Sequence, residues 1–344
     1  MTLAATDDIE QNIELNSGWN WMSLSVKPTP MTVSTVFAKA DGKVKTVKSL
    51  KNVTGCDNGS WVGDFAMYNT DMYAVNATEA LTLSVTGQRV NTSDTPITIA
   101  EGWNWIGYCG QALISVGEAL AGLNPQDGDI IKGQKGVAYY EDNAWSGSLE
   151  TLVPGKGYKL QSATGGRTFT YPATAAASRM YKEADLDGES RATGTFAPVD
   201  YSSYPTNMVL IAKVVKNGMP VNGAELGVFA GSECREAAVT DGQGMVYITI
   251  PGDKAEKLTF RVADDEFVLK ANESVNYKTD AVIGTPRTPF FIELGTATAV
   301  GSVATESQQT EQVFDLQGRK VKADDQTRKL RKGVYIVNGQ KQVK

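Results

Sequence analysis

Residues 18–26 read GWNWMSLSV, and residues 102–110 read GWNWIGYCG. The stretches belong to a longer register, because all six tryptophans form pairs at one constant separation of 84 residues. These pairs are Trp19 with Trp103, Trp21 with Trp105, and Trp61 with Trp145. A register kept across three pairs indicates that a gene segment was duplicated. A period of this length is typical of tandem domains rather than of a thin solenoid.

The two repeats share one predicted order of elements. Each begins with a strand, carries the Trp-x-Trp pair, passes through a short helical pattern (MTVSTVFAKA or ISVGEALAGL) and ends in further strands. Apolar positions agree in the same register, for example Val85 with Phe169. We therefore predict two small, mainly β domains with one short helix each, at residues 13–91 and 97–173.

The Trp-x-Trp pair has two possible locations. Side chains alternate along a strand, so Trp19 and Trp21 point to the same face. That face is either the core, where each ring buries ~150–250 Å², or an exposed aromatic platform like those of many sugar-binding surfaces. The size of the rings favours the core.

The third tryptophan of each repeat lies in a polar, glycine-flanked setting that is typical of a turn. Trp61 is close to Asp64, and Trp145 is close to Asp142. A ring beside carboxylates suits contact with a carbohydrate or a peptide, so these four residues are the candidate ligand-binding residues. The alternative is that each ring caps the hydrophobic core of its repeat.

The rest of the chain divides into two linkers and two further domains. The first linker contains DLDGES, a fragment of calcium-loop spacing that lacks the remaining ligands, so we expect no metal. Short alternating strands separated by turns then predict an antiparallel, immunoglobulin-like sandwich. Two short strands with a terminal Asn-Gly turn predict a small β-module at the end. The boundaries are 174–194 (linker), 195–295 (sandwich), 296–310 (linker) and 311–344 (β-module).

Composition excludes several classes of function. The chain has no histidine, which removes the usual general base and most zinc sites. Its three cysteines lack CxxC spacing, so a disulfide between Cys56 and Cys109 is possible, but three separate thiols are favoured. The net charge of −6 argues against nucleic acid as a partner. No apolar run is long enough to span a membrane, the start does not read as a signal peptide, and no cofactor is indicated.

The end of the chain, VFDLQGRKV followed by LRKGVYIVNGQKQVK, resembles the C-terminal sorting domain of proteins exported by the type IX (Por) secretion system of Bacteroidetes. The GWNW units and the predicted sandwich also look like modules of large Bacteroidetes surface proteins. The resemblance implies export to the cell surface or the medium, with the secretion machinery as a partner of the terminal module. The residues that carry it are Asp315, Gly318, Arg319, Gly333, Tyr335, Ile336 and Lys341.

These observations favour a non-enzymatic, modular surface or secreted protein whose domains act as adhesion, binding or spacer units. Its partners would then be a glycan or a host or surface protein. The alternative is an array of carbohydrate-binding modules, either on its own or as the C-terminal part of a larger glycan-active protein. A hydrolase is least favoured. Paired carboxylates could in principle perform acid/base catalysis without histidine, but no G-x-S-x-G or S-x-x-K motif stands in a convincing context.

Overall fold

The computed structural model describes residues 8–40, 42–57, 59–173, 194–263 and 268–294, together with the strands at 313–314, 334–337 and 340–343. The described part is mainly β, which confirms the predicted fold class. The chain divides into two compact units, Met1–Thr298 and Ala299–Lys344. The DLDGES segment lies outside the described residues, as do Asp315, Gly318, Arg319 and Gly333 of the terminal module.

Repeat 1 contains a five-stranded antiparallel sheet in the order β2-β7-β4-β5-β6 and a smaller sheet in the order β1-β8-β3. One short helix, α1, begins after the cap residue Thr32, whose side chain accepts a hydrogen bond from the backbone of Thr35. The elements are β1 (Asp8–Leu15), β2 (Gly18–Met22), β3 (Val26–Lys27), α1 (Val33–Val36), β4 (Val44–Lys48), β5 (Val53–Asp57), β6 (Ser60–Val62), β7 (Tyr73–Ala77) and β8 (Leu81–Arg89).

Repeat 2 contains a five-stranded antiparallel sheet in the order β10-β16-β12-β13-β14, with the small pairs β9-β17 and β11-β15 beside it. Helix α2 is capped in the same manner, by Ser115 and the backbone of Glu118. The elements are β9 (Ile97–Ile99), β10 (Gly102–Gly107), β11 (Ile114–Ser115), α2 (Val116–Ala119), β12 (Ile130–Lys132), β13 (Val137–Glu141), β14 (Ala144–Gly147), β15 (Thr151–Leu152), β16 (Gly157–Ser162) and β17 (Arg167–Phe169).

The two large sheets have the same strand order and the same pairing. Cys56 lies opposite Trp61 in repeat 1, and Tyr140 lies opposite Trp145 in repeat 2. The separation of 84 residues does not last to the end of the repeat, however. The partner of Ile13 is Leu83 and the partner of its counterpart Ile97 is Phe169, which lie 86 residues apart. The expected match of Val85 with Phe169 was therefore wrong, because loop insertions shift the register after the third tryptophan.

Each repeat has its own core between its sheets and its helix. The core of repeat 1 includes Leu24, Phe37 and Leu83, and that of repeat 2 includes Leu120 and Phe169. The Trp-x-Trp rings lie outside these two cores, in separate apolar clusters at the contacts between domains. The expected burial is confirmed for Trp21, which is 2% exposed, and the other three rings are half-buried, so the pair is not an exposed platform. Since Met22 faces the core, Trp19 and Trp21 point to the opposite, outward face of the sheet.

The two repeats contact each other through reciprocal backbone interactions. The amide of Ser23 donates to the carbonyl of Gly155 (3.0 Å), and the equivalent amide of Gly107 donates to the carbonyl of Thr70 (2.8 Å). The isolated bridges between the repeats are likewise matched, Met22 with Lys156 and Ile106 with Asp71. Contacts exchanged in this way are those that a two-fold axis generates, so the repeats form an internal, dimer-like pair.

The sandwich consists of two sheets around a single core. One sheet is centred on β18, which pairs with β19, β22, β25 and β26, and the other has the order β21-β20-β23-β24. Leu210 and Phe260 lie in the shared core from opposite sheets. The strands are β18 (Thr206–Lys216), β19 (Met219–Pro220), β20 (Glu225–Ala230), β21 (Glu233–Val239), β22 (Met245–Gly252), β23 (Lys257–Ala263), β24 (Val268–Asn276), β25 (Val282–Ile283) and β26 (Phe290–Leu294).

The sandwich covers the outward face of the large sheet of repeat 2. Val137 and Tyr139 of that sheet share a buried apolar cluster with Val209 and Ile211 of the sandwich. At the edge of this contact the side-chain amide of Asn207 donates to the carbonyls of Gly133 and Gln134, at 3.0 and 2.9 Å. Repeat 2 and the sandwich are therefore joined by a packed, hydrogen-bonded interface.

A buried charge cluster completes this junction. The ammonium groups of Lys132 and Lys159 lie 2.8 and 2.9 Å from the carboxylate of Asp280 in the sandwich. Tryptophan rings surround these ammonium groups, Trp103 at 4.4 Å from Lys132 and Trp21 at 4.7 Å from Lys159. Two lysines share one carboxylate, and the electron-rich ring faces provide further stabilisation for the cations.

The C-terminal unit contains one three-stranded antiparallel sheet in the order β27-β28-β29. Tyr335 and Ile336 lie in β28, and Lys341 lies in β29 opposite Ile336. The strands are β27 (Val313–Phe314), β28 (Val334–Val337) and β29 (Gln340–Val343).

Candidate functional site: two tryptophan clefts

A cleft of about 820 Å³ lies between helix α2 and the β13–β14 hairpin of repeat 2. Trp145 lines it and packs edge-on against Tyr140, which lies opposite on β13, with ring centroids 5.2 Å apart. The ring is half-buried, since one side contacts the core of the repeat. The polar side chains of the lining are Asn124, Tyr140, Asn143, Ser146 and Glu150.

A second cleft, of about 550 Å³, lies at the equivalent place in repeat 1, between helix α1 and the β5–β6 hairpin. Trp61 lines it and lies 5.7 Å from the ring of Phe37. This ring is also half-buried against the core of its repeat. Both interpretations of the third tryptophan thus hold in part, because each ring caps a core and also lines a cleft.

The hairpin sequences explain why the tryptophans lie at these positions. Asp142 and Asn143 form the two-residue turn between β13 and β14, with φ values of 54° and 63°. Positive φ at both turn residues matches the twist of a tight hairpin, and Asp and Asn tolerate this conformation better than most residues. The turn places Trp145 early on β14, opposite Tyr140 on β13.

Asp64 lines the cleft of repeat 1 and also holds the start of helix α1. Its carboxylate accepts hydrogen bonds from the amide of Ser34 (3.0 Å) and from the hydroxyl of Ser34 (2.6 Å). Partial desolvation acts to raise the pKa of Asp64, but the hydrogen bonds from Ser34 and its neighbours outweigh it and lower the pKa. Asp64 is therefore an ionised carboxylate that accepts hydrogen bonds from the first turn of helix α1 and also lines the cleft.

Asp142 does not line either cleft. It is exposed at the hairpin turn and forms an ion pair with Arg287 of the sandwich. The amide of Arg287 also donates to the neighbouring Glu141 at 3.2 Å. Of the four candidate residues, the structure thus brings Trp61 and Asp64 together in one cleft, places Trp145 in the other, and puts Asp142 at a contact between domains.

The sequence analysis did not identify four of the residues that line the clefts as binding residues: Tyr140 and Asn143 in repeat 2, and Phe37 and Cys56 in repeat 1. A period of two along each hairpin would have identified Cys56 and Tyr140, because the residue opposite the tryptophan faces the same side of the sheet. The helix residues carried no such signal, since their approach to the hairpin depends on the tertiary fold.

The cysteines are free thiols, so the possible disulfide is not formed. Cys56 lines the cleft of repeat 1, whereas Cys109 and Cys234 are buried. Desolvation raises the pKa of both buried thiols to about 11, which keeps them protonated at neutral pH. In the part of the chain that the structure describes, no three Cys, Asp or Glu side chains converge as a metal site.

The chemistry available in the clefts is that of binding by contact with rings and hydrogen bonds. Each lining offers a tryptophan, a few hydroxyl or amide groups and a single carboxylate, Asp64 or Glu150. Neither lining contains a lysine or an arginine. An aromatic floor with a few polar groups is a common composition of small-ligand sites.

No protein family and no curated protein matches this chain. Four solved chains match it, among them the Bacillus anthracis TIE protein, at 7% identity with a TM-score of 0.19. That match covers 93% of this chain and 48% of the other, so this chain spans about half the length of that protein. A TM-score of this size does not indicate a shared fold. No helix in the described ranges has the length and apolar character needed to cross a membrane.

Proposed function

We propose that this chain is a non-enzymatic binding protein of the cell exterior, in which the two repeats are the binding modules. The observation that carries this proposal is the equivalence of the two clefts. In both repeats the third tryptophan lies on the same hairpin strand, faces the same short helix and lines an open cleft. A ring retained only for the core would not require a cleft of several hundred Å³ beside it in both repeats.

The ligand that best fits the clefts is a neutral carbohydrate. The apolar face of a sugar ring stacks on an indole, while amide and hydroxyl groups such as those of Asn124 and Ser146 bind its hydroxyls. Each lining carries a carboxylate and no cation, so an acidic sugar or a phosphate meets repulsion. A spacer role without a ligand is the second candidate, and the packed interface between repeat 2 and the sandwich favours it.

The export of the chain is a separate part of the proposal. We infer from the resemblance of residues 311–344 to type IX sorting domains that the terminal module targets the chain to the secretion machinery. Supporting features are the net positive charge of this segment, which has nine Lys or Arg against four Asp or Glu, and the hairpin of β28 and β29. Deletion of residues 311–344 in a host with that system should retain the chain inside the cell. Unchanged export of the deleted form contradicts this part alone.

Binding is tested with an array of neutral and acidic oligosaccharides. Wild-type chain should bind neutral glycans, and Trp61→Ala with Trp145→Ala together should abolish the signal. Tyr68→Ser is the matched control, because this exposed aromatic residue lies outside both clefts. Circular dichroism checks that each variant is folded. A wild-type chain that binds no glycan, or a double variant that binds as wild type does, contradicts the proposal.

A further inference from the structure

The outward face of the large sheet is covered in repeat 2. In repeat 1 it is covered at Trp21, whose indole donates to the carbonyl of Pro205 at 3.2 Å, and open at strands β5 and β6. Val53 of repeat 1 and Val137 of repeat 2 occupy equivalent positions. Lys48 pairs with Val53 in repeat 1, as Lys132 pairs with Val137 in repeat 2. Val137 is completely buried beneath the sandwich, whereas the side chain of Val53 is 62% exposed. Val62, on the same face at the edge strand β6, is 69% exposed.

The open face of repeat 1 has a lysine–tryptophan pair like that of the covered face of repeat 2. It lacks the acceptors that the sandwich supplies in repeat 2. Lys48 lies 4.7 Å from the centre of the Trp19 ring, as Lys132 lies 4.4 Å from that of Trp103. In repeat 2 the sandwich supplies Asp280, whose carboxylate pairs with Lys132 and whose carbonyl accepts from the Trp103 indole at 3.0 Å. Among the described residues, neither the Lys48 ammonium nor the Trp19 indole N–H has an equivalent acceptor. The open face therefore lacks a carboxylate-bearing partner.

The shape of the open face also differs from that of the covered one. Repeat 2 presents Ile130 and Tyr139 to the sandwich, whereas the matched positions of repeat 1 are Thr46 and Gly55. Both side chains of repeat 1 are smaller than their counterparts, so this part of the face has less bulk than the same part of repeat 2. An occupant of this face must therefore bring the bulk that Tyr139 supplies in repeat 2.

The sandwich has a surface with these properties beyond the part that repeat 2 covers. On β26, Phe291 lies beside Lys213 and Glu293 beside Val215, on the outward side of the same sheet that contacts repeat 2. Phe291 is 56% exposed, and Glu293 is exposed as well. This uncovered end of the sheet is continuous with the established interface and offers an aromatic ring and a carboxylate two residues apart.

We propose that the outward face of repeat 1 binds the uncovered end of the sandwich sheet in a second copy of the chain. Phe291 of one copy packs over Gly55 of the other, where Tyr139 lies in repeat 2, and Glu293 pairs with Lys48. The contact joins two different surfaces, so it is a head-to-tail contact that leaves one surface of each kind free at the ends. Association therefore proceeds beyond the dimer.

The test is sedimentation velocity of the full chain from about 1 µM to about 1 mM, a range that covers weak interfaces. Wild type should form oligomers larger than dimers as the concentration rises. Val53→Asp with Val62→Asp alters only one surface, and Phe291→Asp alters only the other. Each variant alone should stay monomeric, while an equimolar mixture of the two should form dimers and nothing larger. Tyr68→Ser, an exposed aromatic residue on neither surface, should associate as wild type does.

The ion pair has its own test in the same experiment. Lys48→Glu and Glu293→Lys should each weaken association about tenfold, and the chain that carries both changes should recover it. A wild-type chain that is monomeric at every concentration overturns the proposal. So does self-association by Phe291→Asp alone, which indicates a symmetric contact between two copies of repeat 1. An equal loss in Tyr68→Ser overturns it as well, because the association is then not specific to these surfaces.

Discussion

Lys132 of repeat 2 and Asp280 of the sandwich form a buried ion pair of 2.8 Å. Lys159 shares the same carboxylate, so a single acid compensates two cations that are removed from water. Both lysines are almost fully buried. This cluster joins three parts of the chain, because Lys159 also contacts the rings of Trp21 in repeat 1 and Trp105 in repeat 2.

Removal of the shared carboxylate should destabilise the junction strongly. We expect Asp280→Asn to lower the free energy of unfolding by about 3–5 kcal/mol, since it leaves buried cations without their counter-ion. Urea denaturation followed by tryptophan fluorescence measures this, because Trp21 and Trp103 lie beside the cluster. Asp253→Asn, at an exposed turn of the sandwich, is the control and should change little. Equal stabilities of the two variants would contradict a structural role for the cluster.

The same cluster predicts a dependence of stability on alkaline pH. Desolvation lowers the pKa of Lys132 to about 8, although Asp280 acts to raise it. Between that value and the ordinary lysine pKa, the unfolded chain holds a proton that the folded chain has released. The free energy of unfolding of wild type should therefore rise with pH from about 8 to about 10 relative to Lys132→Met. Lys45→Met, which removes an exposed lysine, should retain the wild-type slope.

A buried carboxyl in the sandwich predicts the opposite trend at lower pH. Desolvation raises the pKa of Glu236 to about 8, while a hydrogen bond from the amide of Ala237 and the charge of Lys135 act against it. The folded chain therefore takes up a proton between the ordinary glutamate pKa and about 8. The contribution of Glu236 to the free energy of unfolding should be complete at acidic pH and decrease as pH rises through that interval. Glu236→Gln should remove this decline in thermal melts, and an unchanged decline would show that other groups cause it.

The duplication was readable from the sequence, because tryptophan is rare and all six residues fall into one register. The positions at which the register between the repeats shifts could not be predicted from the sequence. Insertions after the third tryptophan lie in loops, where no conserved spacing marks them, so Phe169 was matched to Val85 instead of Leu83. Strand alternation correctly placed Trp19 and Trp21 on one face but gave no indication of which face would be covered.

The contacts of the Trp-x-Trp rings depend on residues that are remote in sequence. Trp103 donates to the carbonyl of Asp280, 177 positions further along the chain. No local pattern predicts such a contact, and the size of the rings pointed to the core of the repeat. Asp142 was misjudged for a similar reason, since its proximity to Trp145 concealed its role in a hairpin turn paired with Arg287.

Two equivalent binding clefts in one chain should bind two ligands, and the number of ligands bound per chain tests this directly. Isothermal titration calorimetry should use the neutral oligosaccharide that gives the strongest array signal. Wild type should bind two ligands per chain, Trp61→Ala and Trp145→Ala should each bind one, and the double variant should bind none. A stoichiometry of one in wild type, or a stoichiometry that neither substitution changes, would contradict the paired clefts as the sites of binding.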